Sequence, residues 1–450
     1  MATSLALYGG TPVLPPDIVR AWPHVTDEDR RAIAEVVAGE SLGPQRNHQA
    51  GRLAHEFAEY IGVKHCIPTN SGTAALHMGI AALGVDPGDE VIVPAFTFWA
   101  SAAAVLHHNA IPVFVDIAPD TWCIDPARIE EKITPRTRAI MPVHIHGLSA
   151  DMDPIRAIAA RHDLKLIEDC AQAHGARYHG EMCGTMGDVA GFSTQMSKVL
   201  TSGSEGGLFV TDNDEHAEAA SLLQYFGEHV VTGMERQTQA YNASGVGWMY
   251  RGDVFGQAFV RSQLRRLDAM NQARAENCLF LNDRLRAVPG VTTPVIPDGC
   301  EHVFYNYVLG LAPEALDVDM APAAFRDAVQ AALTAEGVGV GQWQRVPVPA
   351  QEVFRNRHAY GRGCPWSCWK SEVRYDAAEY PVALDFLARH TYVFDIHPPN
   401  DLDTMELYAQ AIEKVIDQAS ALQPVDPELN DRYLAARNPW ESTATLAGSD

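Results

Sequence analysis

Two hydrophobic periods take turns along this chain, and their order predicts its architecture. From Lys64 onward, short and nearly continuous apolar runs recur at residues 90–94, 111–116, 139–144 and 164–169. Each is followed by a stretch with alanine and leucine at helical spacing. Strands that lack a polar face are covered on both sides, so the alternation predicts a mostly parallel sheet flanked by helices. Two shorter runs, 189–193 and 207–211, are expected as strands antiparallel to one another. Ahead of the sheet, Thr26 followed by Asp27, Glu28 and Asp29 predicts a capped helix to about residue 38. A second helix, 51–61, places Leu53, Phe57 and Tyr60 on one face.

The pattern also divides the chain. Residues 1–25, with Gly9-Gly10-Thr11-Pro12 and Pro15-Pro16, read as an extended arm, and 26–286 as a large α/β domain. Within the latter, 214–250 are polar and irregular and are expected to loop over an active site. One or two long helices across 255–285 lead into a smaller α+β domain, 287–438, with a strand at 304–309 and a closing helix at 402–419. Residues 439–450 show no periodicity and are expected to form a mobile tail. A length of 450 residues suits a large domain plus a smaller one.

Composition narrows the partners. Asp and Glu number 57 against 34 Lys and Arg, a net charge of -23 that argues against nucleic acid or anionic membrane. No apolar run approaches the roughly 20 residues that span a bilayer. No basic segment leads into an apolar one near Met1, and the eight cysteines are scattered, so reduced thiols and a cytoplasmic location are expected. Cys364 and Cys368 form the one close pair; with no second pair beside them, no metal site is expected.

Chemistry concentrates at Gly191-Phe192-Ser193-Thr194-Gln195-Met196-Ser197-Lys198. Lys198 sits among small hydroxyl residues ahead of a glycine-rich turn and an apolar strand, whereas a solvated lysine sits among charges. Asp169 ends an apolar strand 29 residues earlier, within Glu168-Asp169-Cys170-Ala171-Gln172-Ala173-His174-Gly175. An acid at a strand's carboxyl end and a lysine downstream suit a pyridoxal phosphate site. Read singly, Lys198 is a structural lysine, Asp169 a helix cap, and Ser71-Gly72-Thr73 a plain helix start whose free amides also suit a phosphate.

Together with Asn70-Ser71-Gly72-Thr73-Ala74-Ala75-Leu76, these strings resemble the DegT/StrS sugar and cyclitol aminotransferases, fold-type-I pyridoxal-phosphate enzymes, from about residue 7 to 418. The resemblance implies a mostly parallel seven-stranded sheet in the large domain and a homodimer. It implies an amino group passing from glutamine or glutamate to a keto-sugar or keto-cyclitol, in a ping-pong reaction. It assigns Lys198 to the covalent link with the cofactor and to proton transfer, and Asp169 to the cofactor's ring nitrogen. Gln172 is matched to its phenolic oxygen, Ser71, Gly72, Thr73 and Ser193 to its phosphate, and Phe98 to the ring face. His174, Phe96 and Trp99 are read as packing residues.

The chain departs from these relatives at three places. Met249-Tyr250-Arg251 stands where many carry Asn-Tyr-Arg, and methionine cannot donate the hydrogen bond made by that asparagine. The turn Thr201–Gly207 is one residue longer, and Gln342-Trp343-Gln344-Arg345 replaces a tyrosine motif. Two alternatives are a dehydratase of the same fold, which generally carries histidine in place of Lys198, and a non-catalytic binding protein, which would need none of this proton chemistry.

Overall fold

A computed structural model describes residues 4–39, 42, 48–227, 243 and 245–425. The strands are β1 (His65–Thr69), β2 (Glu90–Pro94), β3 (Ile111–Val115), β4 (Thr137–Ile140), β5 (Lys165–Asp169), β6 (Arg177–Tyr178), β7 (Glu181–Met182), β8 (Val189–Ser193) and β9 (Gly207–Thr211). Five more follow: β10 (Val291–Thr292), β11 (Cys300–Glu301), β12 (Tyr307–Leu311), β13 (Val340–Gly341) and β14 (His390–Val393). The main sheet has seven strands in the order β1-β9-β8-β5-β4-β2-β3. Strands β3, β2, β4, β5 and β8 run parallel, while β9 lies antiparallel to both of its neighbours. The expected seven-stranded, mostly parallel sheet is therefore present. Every residue of β2, β3, β8 and β9 is buried, as expected of strands covered on both faces.

Helices begin where the sequence offers a cap. In α1 (Asp27–Ala38), Thr26 Oγ1 accepts from the Asp29 amide and the Asp29 carboxylate accepts from the Thr26 amide. Helix α2 (Gln49–Ile61) buries Leu53 and Phe57, each contributing about 2 kcal/mol by leaving water. Helix α3 (Gly72–Ala82) packs on β8 and β9, and Gly79 permits the approach: a Cβ there would lie 3.0 Å from Val189.

A second core gathers around the antiparallel sheet β10-β12-β14-β13 and the helices Pro322–Ala335 and Leu402–Asp417. The N-terminal arm belongs to it, since Leu5 and Leu14 are buried there. Glu336, fully buried, holds the arm: it accepts from the amides of Ala6 (2.8 Å) and Val13 (3.0 Å) and from Lys414 Nζ (2.8 Å). Glu336→Ala should lower unfolding free energy by about 3 kcal/mol, because it leaves the Lys414 ammonium without its carboxylate. Denaturant titration measures this, and limited proteolysis should show earlier cleavage near the arm.

Several sequence expectations need correction. The strand expected at 139–144 ends at Ile140, because Pro142 has no N–H to continue the ladder. Residues 214–224, read as irregular, form helix α4 (Asp214–Gln224), with Asn213 accepting from the Glu215 and His216 amides. Residues 228–242, from the rest of that loop, lie outside the described residues, as do 426–450, which include the expected tail. The strand expected at 304–309 is displaced to Tyr307–Leu311, because Phe304 turns to φ 48° and leaves Tyr305 and Asn306 ahead of the sheet. Trp99 is not a core residue: it is 40% exposed, whereas Phe96 is fully buried. Cys364 and Cys368 are joined in a disulfide rather than reduced, their Cα atoms brought within 5.2 Å by the turn around Pro365.

Candidate active site

Beyond the carboxyl ends of the parallel strands lies a cavity of about 700 Å³. Open parallel sheets bind ligands there, because helix amino ends and loops converge at that edge. All eight residues singled out from the sequence line it: Ser71, Gly72, Thr73, Phe98, Asp169, Gln172, Ser193 and Lys198. Fold topology accounts for the convergence, since β5 and β8 are adjacent and α3 starts beside β8.

Asp169 closes β5 and is nearly fully buried. One carboxylate oxygen accepts from Ser101 Oγ at 2.7 Å and the other from the Ala171 amide at 3.1 Å. Burial pushes its carboxyl above the ordinary value, while the two hydrogen bonds and the Lys198 charge pull the other way. An acid in this setting, with acceptor positions still free, suits a cationic ring N–H.

Gln172 is anchored by its Oε1, which accepts the His146 amide at 2.7 Å. That contact fixes the amide's orientation and leaves the Nε2 hydrogens for a ligand oxygen. Ser71 caps α3, its Oγ accepting from the Ala74 amide at 3.1 Å. Gly72 must be glycine at this junction, since a Cβ would sit 2.7 Å from the Cβ of Ser193. The helix start is thereby pressed against β8, and the amides of the first turn face the same space as the Ser193 hydroxyl. Amides at a helix amino end beside a hydroxyl form a phosphate cradle.

Lys198 Nζ lies 3.4 Å from the Tyr305 hydroxyl and 4.5 Å from the centre of that ring. Tyr305 also meets Ser197 Oγ at 3.1 Å, so one phenol spans both residues. Phe98 is 52% exposed and lines the cavity beside Trp343, with ring centres 6.2 Å apart. His174 is a packing residue in this structure: it lies 5.2 Å from the Phe192 ring, and burial lowers its pKa to about 3.

The residues therefore fit pyridoxal phosphate: a carboxylate for the ring nitrogen, an amine for the aldehyde, an anchored amide, an exposed aromatic face and a cradle for the phosphate. Behind them, His144, Glu168 and Cys170 cluster closely enough to suggest a metal. The Glu168 oxygens are already taken by the amides of Gly184, Met186 and Gly187 and by His144, so this cluster serves as a structural brace.

Sequence reasoning missed Ser101, Tyr305, Trp22, Asp395 and His397. Only the Ser101 position, the second residue of the helix Ala100–His107, carried a local signal. The three places of departure fall around the site. Gln342 and Trp343 line the cavity, and the longer turn is closed by Ser202 Oγ donating to the Glu205 carbonyl at 3.1 Å. Met249 is partly exposed, its carbonyl accepting from Asn70 Nδ2 at 3.1 Å.

Known proteins share this arrangement. The sequence model of the DegT/DnrJ/EryC1/StrS aminotransferase family matches residues 23–373. The chain is 39% identical over 446 residues to the L-glutamine:2-deoxy-scyllo-inosose aminotransferase of Streptomyces paromomycinus, covering 94% of this chain and 100% of that protein. A protein of the same name from Micromonospora echinospora is 41% identical over 317 residues, 68% of this chain and 74% of its own. The aminotransferase from Psychrobacter cryohalolentis superposes with a TM-score of 0.79 at 26% identity, covering 89% and 99% of the two chains. Matched by the family's sequence model over most of its length and by the superposed fold, with a cavity whose residues fit pyridoxal phosphate, this chain belongs to the DegT/DnrJ/EryC1/StrS family of aminotransferases and uses that cofactor.

Proposed function

We propose that the protein transfers the amino group of L-glutamine to a keto-cyclitol such as 2-deoxy-scyllo-inosose. It does so as a cytoplasmic homodimer, in two half-reactions that share the cavity. The observation that carries this reading is the meeting of Lys198, Asp169, Gln172 and the α3 amino end in one cavity, in a chain whose relatives are named for that donor and that acceptor. Exposed Phe98, Trp99, Met196 and Met249 support the dimer, since apolar side chains gathered near a site mouth mark an interface. The units proposed are an arm (1–25), a large domain (26–286) and a smaller one (287–438), with 439–450 as a tail.

Bound pyridoxal phosphate supplies an aldehyde that takes up the amine and a ring that draws electrons from the carbon losing its proton. Lys198 Nζ carries that proton away from the substrate carbon and delivers it again, which demands an amine free to move between two atoms. Asp169 keeps a proton on the ring nitrogen, and Ser101 and the Ala171 amide hold the carboxylate in place. Gln172 donates to the ring's oxygen, and the first-turn amides of α3, with Ser193, bind the phosphate. Tyr305 restrains Lys198 between turnovers. Retention of Lys198 weighs against the dehydratase alternative.

Incubation with L-glutamine and 2-deoxy-scyllo-inosose should yield an aminocyclitol and 2-oxoglutaramate, detected by mass spectrometry. Release of the oxo acid before the keto-cyclitol is added would establish the ping-pong order. No product from any amino acid paired with any keto-sugar or keto-cyclitol would remove this reading.

A further inference from the structure

The chain that leaves β14 forms one end of the cavity, and the chemistry above makes no use of it. Asp395 and His397 line the cavity there, as does Trp22 from the N-terminal arm. Asp395 adopts φ 57°, a backbone conformation that a short polar residue tolerates and that concentrates at functional positions.

The hydrogen-bonding character of this end follows from what lies behind it. Arg274 is completely buried, and its Nε–H donates to His397 Nδ1 at 2.7 Å. A guanidinium only donates, so Nδ1 of His397 must be the unprotonated nitrogen. Burial and the arginine charge both hold this imidazole well below its ordinary pKa, and its single proton is therefore on Nε2. His397 is thus a neutral donor. Asp395, two residues away, is an acceptor that already takes the Trp22 backbone N–H; burial pushes its carboxyl above the ordinary value, and no lysine or arginine pairs with it among the described residues. The cavity's other acids are committed elsewhere: Asp169 to Ser101 and Ala171, and Glu205 to Gln195 and the Lys198 charge.

A partly buried carboxylate with one backbone donor and no cation keeps acceptor positions for a ligand. An acceptor and a donor lining the same cavity, with the Trp22 ring 4.8 Å from His397, match a ring bearing hydroxyl groups. Each hydroxyl can give one proton to the acid and take one from the imidazole. The same carboxylate distinguishes the two common amino donors. Glutamine brings an amide N–H to it, whereas glutamate brings a second negative charge.

We propose that Asp395 selects L-glutamine over L-glutamate and, with His397, binds the hydroxyl groups of the keto-cyclitol, with Arg274 acting as the positioning residue that sets the His397 tautomer. This inference rests on the aminotransferase reading above and names the specificity element of the same cavity. Juxtaposed like charges repel, so neutralising Asp395 should shift the donor preference.

The test follows the cofactor absorbance change in the amino-donor half-reaction alone, with L-glutamine and L-glutamate in turn, for wild type, Asp395→Asn and Asp395→Ser. In both variants the glutamate-to-glutamine ratio of kcat/KM should rise about tenfold or more. In the second half-reaction, Asp395→Ser should raise KM for 2-deoxy-scyllo-inosose about tenfold with little change in kcat, as expected when ground-state binding is lost. Ratios within twofold of wild type in both variants would overturn the proposal while the wild-type absorbance change still upheld transamination. A wild-type protein that responds to no amino acid would overturn both.

Discussion

Lys198→Ala is expected to lower the rate of amino transfer at least about 10,000-fold, because it removes the amine proposed to carry the proton and to anchor the cofactor aldehyde. Its geometry makes the loss local. Lys198 is only half-buried, and its side-chain contacts are with Tyr305, at 3.4 Å from the hydroxyl and 4.5 Å from the ring centre. Truncation therefore leaves the sheet and its strands intact, and the variant should fold with wild-type thermal stability. Lys198→Arg should be equally inactive, since a guanidinium stays protonated and cannot accept the proton. Borohydride reduction followed by peptide mapping should fix the cofactor to Lys198 in the wild type. A cofactor label at another lysine, or an alanine variant with one-tenth of wild-type activity, would show that the proton is carried elsewhere.

Asp169→Asn is expected to cost about 100- to 1,000-fold in kcat, the scale seen when one preorganised electrostatic group is removed from an active site. Asparagine keeps the volume and can still accept from Ser101, but it carries no charge to hold a proton on the ring nitrogen. The neutral ring is a weaker electron sink, so the loss should fall on the proton-transfer step more than on donor binding. A large primary isotope effect with α-deuterated donor in the variant would locate it there. Asp169→Glu should fall between the two, since an added methylene must fit a buried position beside Ser101. A variant within tenfold of wild type would mean that Asp169 does not govern the ring.

These two residues are also where the sequence was most readable. Asp169 closes the apolar strand β5 and Lys198 lies in the loop that follows β8, and strands of a covered parallel sheet announce themselves as unbroken apolar runs. A residue just past such a run faces the edge where ligands bind. Gly72 was legible for a related reason: the Asn70–Leu76 string places it at a helix start, and the 2.7 Å approach to Ser193 shows why no larger residue fits.

The opposite end of the cavity carried no such signal. Tyr305 read as part of a strand, because nothing local reveals that Phe304 turns to φ 48° and sets the next two residues apart from the sheet. Trp22 read as part of an extended arm, although it lines the cavity. Helix α4 reads as irregular chain because its sequence, Asp214 to Gln224, is polar on most of its surface and lacks the broad apolar stripe that marks a helix.

By itself, the sequence determined the alternating strands and helices and where an acid and a lysine stand relative to them, because those depend on neighbours a few residues away; the resemblance of its motifs supplied the cofactor. Tertiary structure alone decided which distant residues face that chemistry. Trp22, Asp395 and His397 are far apart from Lys198 along the chain, and they meet only because the arm is clamped by Glu336 and the small sheet docks beside the large one. Periodicity records which face of an element is buried. It carries no information about what that face is buried against, and substrate choice is made there.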